Sequence, residues 1–152
     1  MKSTRIKMRD ISIKDETKRV ALAEGKVFMK DSTLKTIIQG KLSKGDVLAC
    51  ANVAGIMAAK KTPEVIPLCH PLEITDVKIE FDLDEKKSCV VVRGAVSVLG
   101  RTGVEMEALT AVTIAALTIY DMCKPIDKGM VISDIMLLEK SGGKSGTYKR
   151  QD

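Results

Sequence analysis

From Gly103 to Cys123 the chain is almost without charge, and this stretch constrains the fold more than any other. The middle, Ala108 to Ile119, is apolar except for threonines. Charges sit only at the ends, with Glu105 and Glu107 at the start and Asp121 and Lys124 at the finish. The spacing predicts one long helix with most faces buried. Thr102 followed by Glu105 reads as a T-x-x-E capping box. Pro125 ends the helix, because the residue before a proline avoids helical geometry. The end charges follow the helix dipole.

The other segments supply the cover. Lys18 to Met29 reads as a strand pair or as one strand bent at Gly25. Asp31 or Ser32 can cap a short helix through Leu34, Ile37 and Ile38, which Gly40 ends. Ser43-Lys44-Gly45-Asp46 reads as a second capping box, opening a helix to about Lys61 with Val47, Leu48, Ala51, Ala54 and Ala58 on its period. Thr62-Pro63-Glu64 begins a further turn. Val77, Ile79, Phe81 and Leu83 alternate with polar residues, a half-buried strand. Cys89 to Leu99 returns as its hairpin partner, and Met130 to Glu139 makes a last strand. The expected class is α+β: a ferredoxin-like βαββαβ sandwich, an antiparallel sheet with helices packed on one face. The expected organisation is an arm at 1–15, one domain at 16–140 and a flexible basic tail at 141–152.

The net charge of +5 raises the question of nucleic acid. Residues 1–19 carry seven Lys/Arg against three acids, and residues 140–152 carry four against one. The excess therefore lies in the two tails, and tails are usually solvated, a weak case for nucleic acid. No stretch reaches the ~18 consecutive apolar residues that span a bilayer, and no apolar signal core follows Met1, so a cytoplasmic protein is expected. Cys50, Cys69, Cys89 and Cys123 form no C-x-x-C, which argues against a zinc ribbon or redox pair.

Several small motifs can be weighed. Cys69-His70 is a poor nucleophile–base pair, since such pairs meet across a fold rather than along the chain. His70 is the only histidine, so a zinc site lacks a second nitrogen ligand. Gly143-Lys144-Ser145 resembles the end of a P-loop, but Leu138 stands where the first glycine is required. Lys44, Lys60, Lys124, Lys128 and Lys140 sit near the ends of elements, where they could gather around a polyphosphate or lie free in water. A cation at a helix start, as Lys44 is expected to be, is disfavoured unless an anion offsets it.

Six stretches taken together are similar to the cyclic pyranopterin monophosphate synthase family of molybdenum-cofactor biosynthesis. They are Lys44–Leu48, Ala54–Lys60, Ile66–Leu72, Thr102–Thr110, Tyr120–Lys124 and Asp127–Met130. The resemblance covers about residues 8–146. It implies a ferredoxin-like subunit in a hexamer built as a trimer of dimers, with the site at a subunit interface. It also implies a lyase that converts a cyclised dihydroguanosine triphosphate to a pyranopterin with a cyclic phosphate, releasing diphosphate. By motif match, Asp121, Lys124, His70 and Lys44 are the catalytic candidates. Leu68, Cys69, His70, Glu105, Met106, Glu107, Lys60 and Lys140 are the substrate-binding ones. No metal ligands and no cofactor are implied, beyond the possibility of a magnesium ion accompanying the triphosphate. Asn52, Arg9 and Pro125 depart from the family pattern. The alternative is a ferredoxin-like small-ligand or RNA-binding module. An RNA-reading sheet needs exposed aromatics, and Cys89–Leu99 has none. Finally, Glu105 and Lys124 lie 19 residues apart on one helix, roughly 28 Å at ~1.5 Å per residue. One substrate cannot bridge that span within a single subunit, which is the geometric reason to expect a site shared between subunits.

Overall fold

The computed structural model describes residues 5–152, so the first four residues of the expected arm lie outside the described residues. In chain order the elements are β1 (Thr17–Phe28), α1 (Asp31–Ile38), α2 (Val47–Lys60), α3 (Thr62–Val65), β2 (Ile74–Asp84), β3 (Cys89–Gly100), α4 (Glu105–Cys123), β4 (Val131–Ser141) and β5 (Tyr148–Lys149). The sheet is antiparallel throughout, in the order β2-β3-β1-β4-β5. Its first four strands have the ferredoxin-like arrangement expected from the sequence.

β1 is one strand, the second of the two readings offered by its sequence. It pairs without interruption with β3, from Thr17–Gly100 to Phe28–Cys89. Against β4 its register slips at Leu22/Ala23 and again at Glu24/Lys26, which is where the bend at Gly25 falls. On β3 the residues Val90, Val92, Val96 and Val98 are fully covered. They share a core with Ala108, Ala111, Val112, Ala115, Ala116 and Ile119 of α4. Each such valine contributes about 2 kcal/mol by leaving water. α2 covers another side of α4, burying Ala51, Gly55 and Ala59 at a spacing of four. A Cβ at Gly55 would lie 3.2 Å from the Ala111 carbonyl oxygen, so glycine sets how closely the two helices approach. By length and composition α4 could cross a membrane. Its packing between α2 and the sheet makes it a core helix.

The helix starts differ from the capping boxes read in the sequence. α4 begins at Glu105 after Val104, with no side-chain cap. Thr102 is two residues too early to cap it. α2 is capped by Asp46, whose carboxylate accepts from Ala49 N at 3.0 Å, and Ser43 takes no part. α1 is preceded by Lys30, and neither Asp31 nor Ser32 caps it. The buried Asp127 does so from across the fold, accepting from Lys30 N at 2.9 Å and from the Thr33 hydroxyl at 3.0 Å. Residues 141–152 contain a short strand that the sequence reading does not anticipate. β5 pairs with β4 through Glu139–Lys149 and Lys140–Tyr148, and Arg150 Nε donates to the Leu137 carbonyl at 2.8 Å.

Candidate active site

The two ends of α4 each carry a cluster of candidate residues. At the C-terminal end, Lys124 Nζ contacts Asp121 Oδ1 at 2.6 Å, as their i, i+3 spacing allows. Lys44 reaches the same place from the turn before α2, donating to the Asp121 main-chain carbonyl at 3.1 Å. That carbonyl is among the last four of α4, which lack helical partners and form the negative end of the dipole. Lys44 therefore answers the negative end of α4 and not the positive start of α2, which resolves the conflict noted in the sequence. Hydrogen bonding to Lys124, its charge, and the charge of Lys44 hold the Asp121 carboxyl below the usual carboxylate range. The hydrogen bond to Asp121 and its charge raise Lys124 in turn. At neutral pH this is an ion pair with a fully protonated lysine, suited to stabilising anions. The pair is half exposed, at 49% for Lys124 and 59% for Asp121. Beyond it, Tyr120 donates to the Lys128 carbonyl at 2.9 Å and Gly129 N donates to Asp127 Oδ1 at 3.1 Å, which fixes the loop after the helix.

At the N-terminal end, Glu105 makes no capping hydrogen bond to the helix. Its carboxylate lies 4.0 Å from Lys140 Nζ on β4, and Lys140 also donates to the Ser145 hydroxyl. Glu107 is only 3% exposed, and its Oε2 is buried without a hydrogen-bond partner. Burial pushes its pKa up to about 7; its own backbone N–H opposes this and the Glu105 charge adds to it. Glu107 is therefore half protonated near neutrality and can donate a hydrogen bond where an ordinary glutamate cannot. The Cys69 thiol is raised by burial and, beyond that, by the Glu107 charge, which places the Ile66–Leu72 loop beside Glu107. A raised thiol is a poor nucleophile. The same loop brings His70 near the N-terminal arm. There the Asp10 carboxyl is held low mainly by hydrogen bonds from Ser12, with a smaller contribution from His70.

The predicted residues thus fall into two groups: Cys69, Glu105, Glu107 and Lys140 at one end, with His70 on the adjoining loop, and Lys44, Asp121 and Lys124 at the other. Lys60, at the C-terminal end of α2, is exposed and has no ion pair among the described residues. Leu68 and Met106 are exposed at 44% and 38%. Among the described residues no three His, Cys, Asp or Glu side chains gather closely enough to hold a metal ion. The sequence reading missed Lys14, Thr17 and Arg19, which line a cavity together with Arg9, Lys144 and Ser145. The arginine could have been suspected, since Arg19 sits in a strand of otherwise apolar alternation.

The chain matches the MoaC family over residues 8–143. It is 60% identical over 147 residues to the cyclic pyranopterin monophosphate synthase of Thermoanaerobacter sp. (strain X514), an alignment covering 97% of this chain and 93% of that one. It is 61% identical over 148 residues to the enzyme of the same name from Desulfitobacterium hafniense (strain DSM 10664 / DCB-2), covering 97% and 90%. With that of Heliobacterium modesticaldum (strain ATCC 51547 / Ice1) it shares 57% over 146 residues, covering 96% and 92%.

Proposed function

The chain belongs to the MoaC family, and from this we infer its reaction: it is a lyase of molybdenum-cofactor biosynthesis that forms cyclic pyranopterin monophosphate. The substrate is (8S)-3',8-cyclo-7,8-dihydroguanosine 5'-triphosphate, and the second product is diphosphate. The observation that carries the assignment is identity near 60% across almost the whole of both chains.

The chemistry asks for two kinds of help. A substrate oxygen attacks the α-phosphorus, the bond to the bridging oxygen breaks, and diphosphate leaves with the electron pair. Negative charge grows on the leaving oxygens, and fixed cations stabilise it. Lys124, kept protonated by Asp121, supplies such a cation, with Lys44 beside it and Lys60 on the phosphates. Rearrangement of the purine-derived ring needs proton donors and acceptors. Glu107, poised near pH 7, and His70 supply these at the other end of α4, while Glu105 and Lys140 hold polar edges of the ring.

The two groups are too far apart to meet within one subunit. The complete site therefore lies between two subunits, in a homo-oligomer that is a hexamer of three dimers, working in the cytoplasm without nucleic acid or membrane. A two-fold interface joins the unlike ends of two α4 helices twice, giving two equivalent sites per dimer. The assay is direct. Purified protein given the cyclised triphosphate should release diphosphate and yield a pterin fluorescent after oxidation. A substrate returned unchanged would overturn the assignment.

A further inference from the structure

The two basic tails, which look like separate solvated ends in the sequence, converge. Arg9 and Lys14 from the arm, Thr17 and Arg19 from β1, and Lys144 and Ser145 from the loop after β4 line one cavity of about 380 Å³. Its walls carry four cations and one carboxylate, Asp15. None of the four cations is in an ion pair among the described residues. Arg19 is 9% exposed, and its one hydrogen bond runs from Nε to the Gly100 carbonyl at 3.1 Å. A buried guanidinium without a carboxylate is costly unless an anion comes to it. Thr17 Oγ1, on the same wall, is a buried hydroxyl with no partner. Lys14 is pushed below its ordinary pKa by loss of water and by its neighbours Arg9, Arg19 and Lys144, while Glu105 opposes this. The loop backbone is shaped to leave room. Gly142 and Gly143 adopt φ of +94° and +79°, and a side chain at Gly143 would collide with the Arg19 guanidinium. The cavity also adjoins the Glu105 cluster, because Ser145 on its wall accepts from Lys140.

We propose that this cavity is a polyanion site that holds the departing diphosphate, and that Arg9 sets how tightly it is held. The inference rests on the reaction given above. Phosphate oxygens would satisfy the Thr17 hydroxyl and the free Arg19 nitrogens, and would relieve the crowding of Lys14. Arg9 lines this cavity from the arm. It is exposed and in no ion pair among the described residues, and its replacement removes a charge without opening the core.

The test is calorimetric titration of the full-length protein with inorganic diphosphate, at low and moderate salt. Arg9→Val and Lys144→Ala should each weaken binding by about three- to tenfold, the scale of one partly exposed cation–phosphate contact. Added salt should weaken the wild type more than either variant. Lys86→Ala, at the β2–β3 turn beyond the far end of β1, removes the same charge and should leave binding unchanged. Equal affinity in wild type, Arg9→Val and Lys144→Ala would overturn the proposal, as would equal weakening by Lys86→Ala. Product formation is measured separately on the same wild-type protein. Turnover without diphosphate binding would reject the cavity and leave the reaction standing; diphosphate binding without turnover would do the reverse.

Discussion

Replacing Glu107 by glutamine should change how stability depends on pH, with a sign opposite to the usual carboxylate. Most carboxylates are better solvated or paired as anions in the folded state, so folding weakens in acid. Glu107 is only 3% exposed, its Oε2 has no partner, and its pKa moves from 4.5 to about 7. Between these two values the folded chain binds more protons than the unfolded chain. Stability therefore falls as pH rises from about 4.5 to about 7, and is level above that. A rise from 4.5 to about 7 corresponds to about 3 kcal/mol of pH-dependent stability. Glu107→Gln keeps the shape and cannot ionise. Its amide adds a constant offset, while the pH-dependent loss disappears. The assay is urea unfolding of both proteins at several pH values between 4.5 and 8.5, at one protomer concentration because assembly shifts apparent stability. The difference between variant and wild type should move in favour of the variant by about 3 kcal/mol across that range. Parallel profiles would refute the reasoning, as would a Glu107 carboxyl NMR signal titrating near pH 4.5.

Lys124→Ala and Asp121→Ala should each abolish product formation while circular dichroism stays native, since both side chains are about half exposed; near-normal turnover in either would remove the pair from the mechanism. Asp127→Ala should cost about 3 kcal/mol by urea midpoint, because Lys30 N and the Thr33 hydroxyl lose their charged acceptor; burial alone would raise this carboxyl, yet its hydrogen bonds hold it low. Mixing inactive Glu105→Ala with inactive Lys124→Ala subunits should restore about a quarter of wild-type activity, the share of intact sites in random two-fold pairing. Verified subunit exchange with no recovery would refute a shared site.

What the sequence made legible was whatever repeats along the chain. The unbroken apolar middle of α4, the alternation through Ile79, Phe81 and Leu83, and the return through Cys89–Gly100 are periodic, and each formed the expected element. The Asp121–Lys124 pair was legible for the same reason, since i, i+3 residues on a helix must be neighbours. The helix starts were not. A capping box assumes the cap is local, but the Lys30 amide is satisfied by Asp127, 97 residues away. Charge counting along the chain failed in the same way. It assigned the excess to two solvated tails because it carries no distances, whereas Arg9, Lys14 and Arg19 meet Lys144 across one cavity. Glu107 could be matched to a motif, but its altered pKa depends on burial by surrounding elements that no local pattern reveals.

The charges at the ends of α4 bear on how two subunits would meet. The N-terminal end carries Glu105 and Glu107, and the C-terminal end is reached by Lys44 and Lys124. Within one chain each set offsets the dipole of its own helix end. Between two chains related by a two-fold axis perpendicular to α4, the N-terminal end of one α4 would face the C-terminal end of the other. The helix dipoles would then run antiparallel, and Glu105 and Glu107 would face Lys44 and Lys124 at both junctions. Two parallel copies would instead set acids against acids and lysines against lysines, which complementary interfaces avoid. The same charges that settle each helix end thus favour the antiparallel pairing. That pairing would also bring the Glu107 carboxyl of one subunit and the Lys44–Lys124 group of the other to a single substrate.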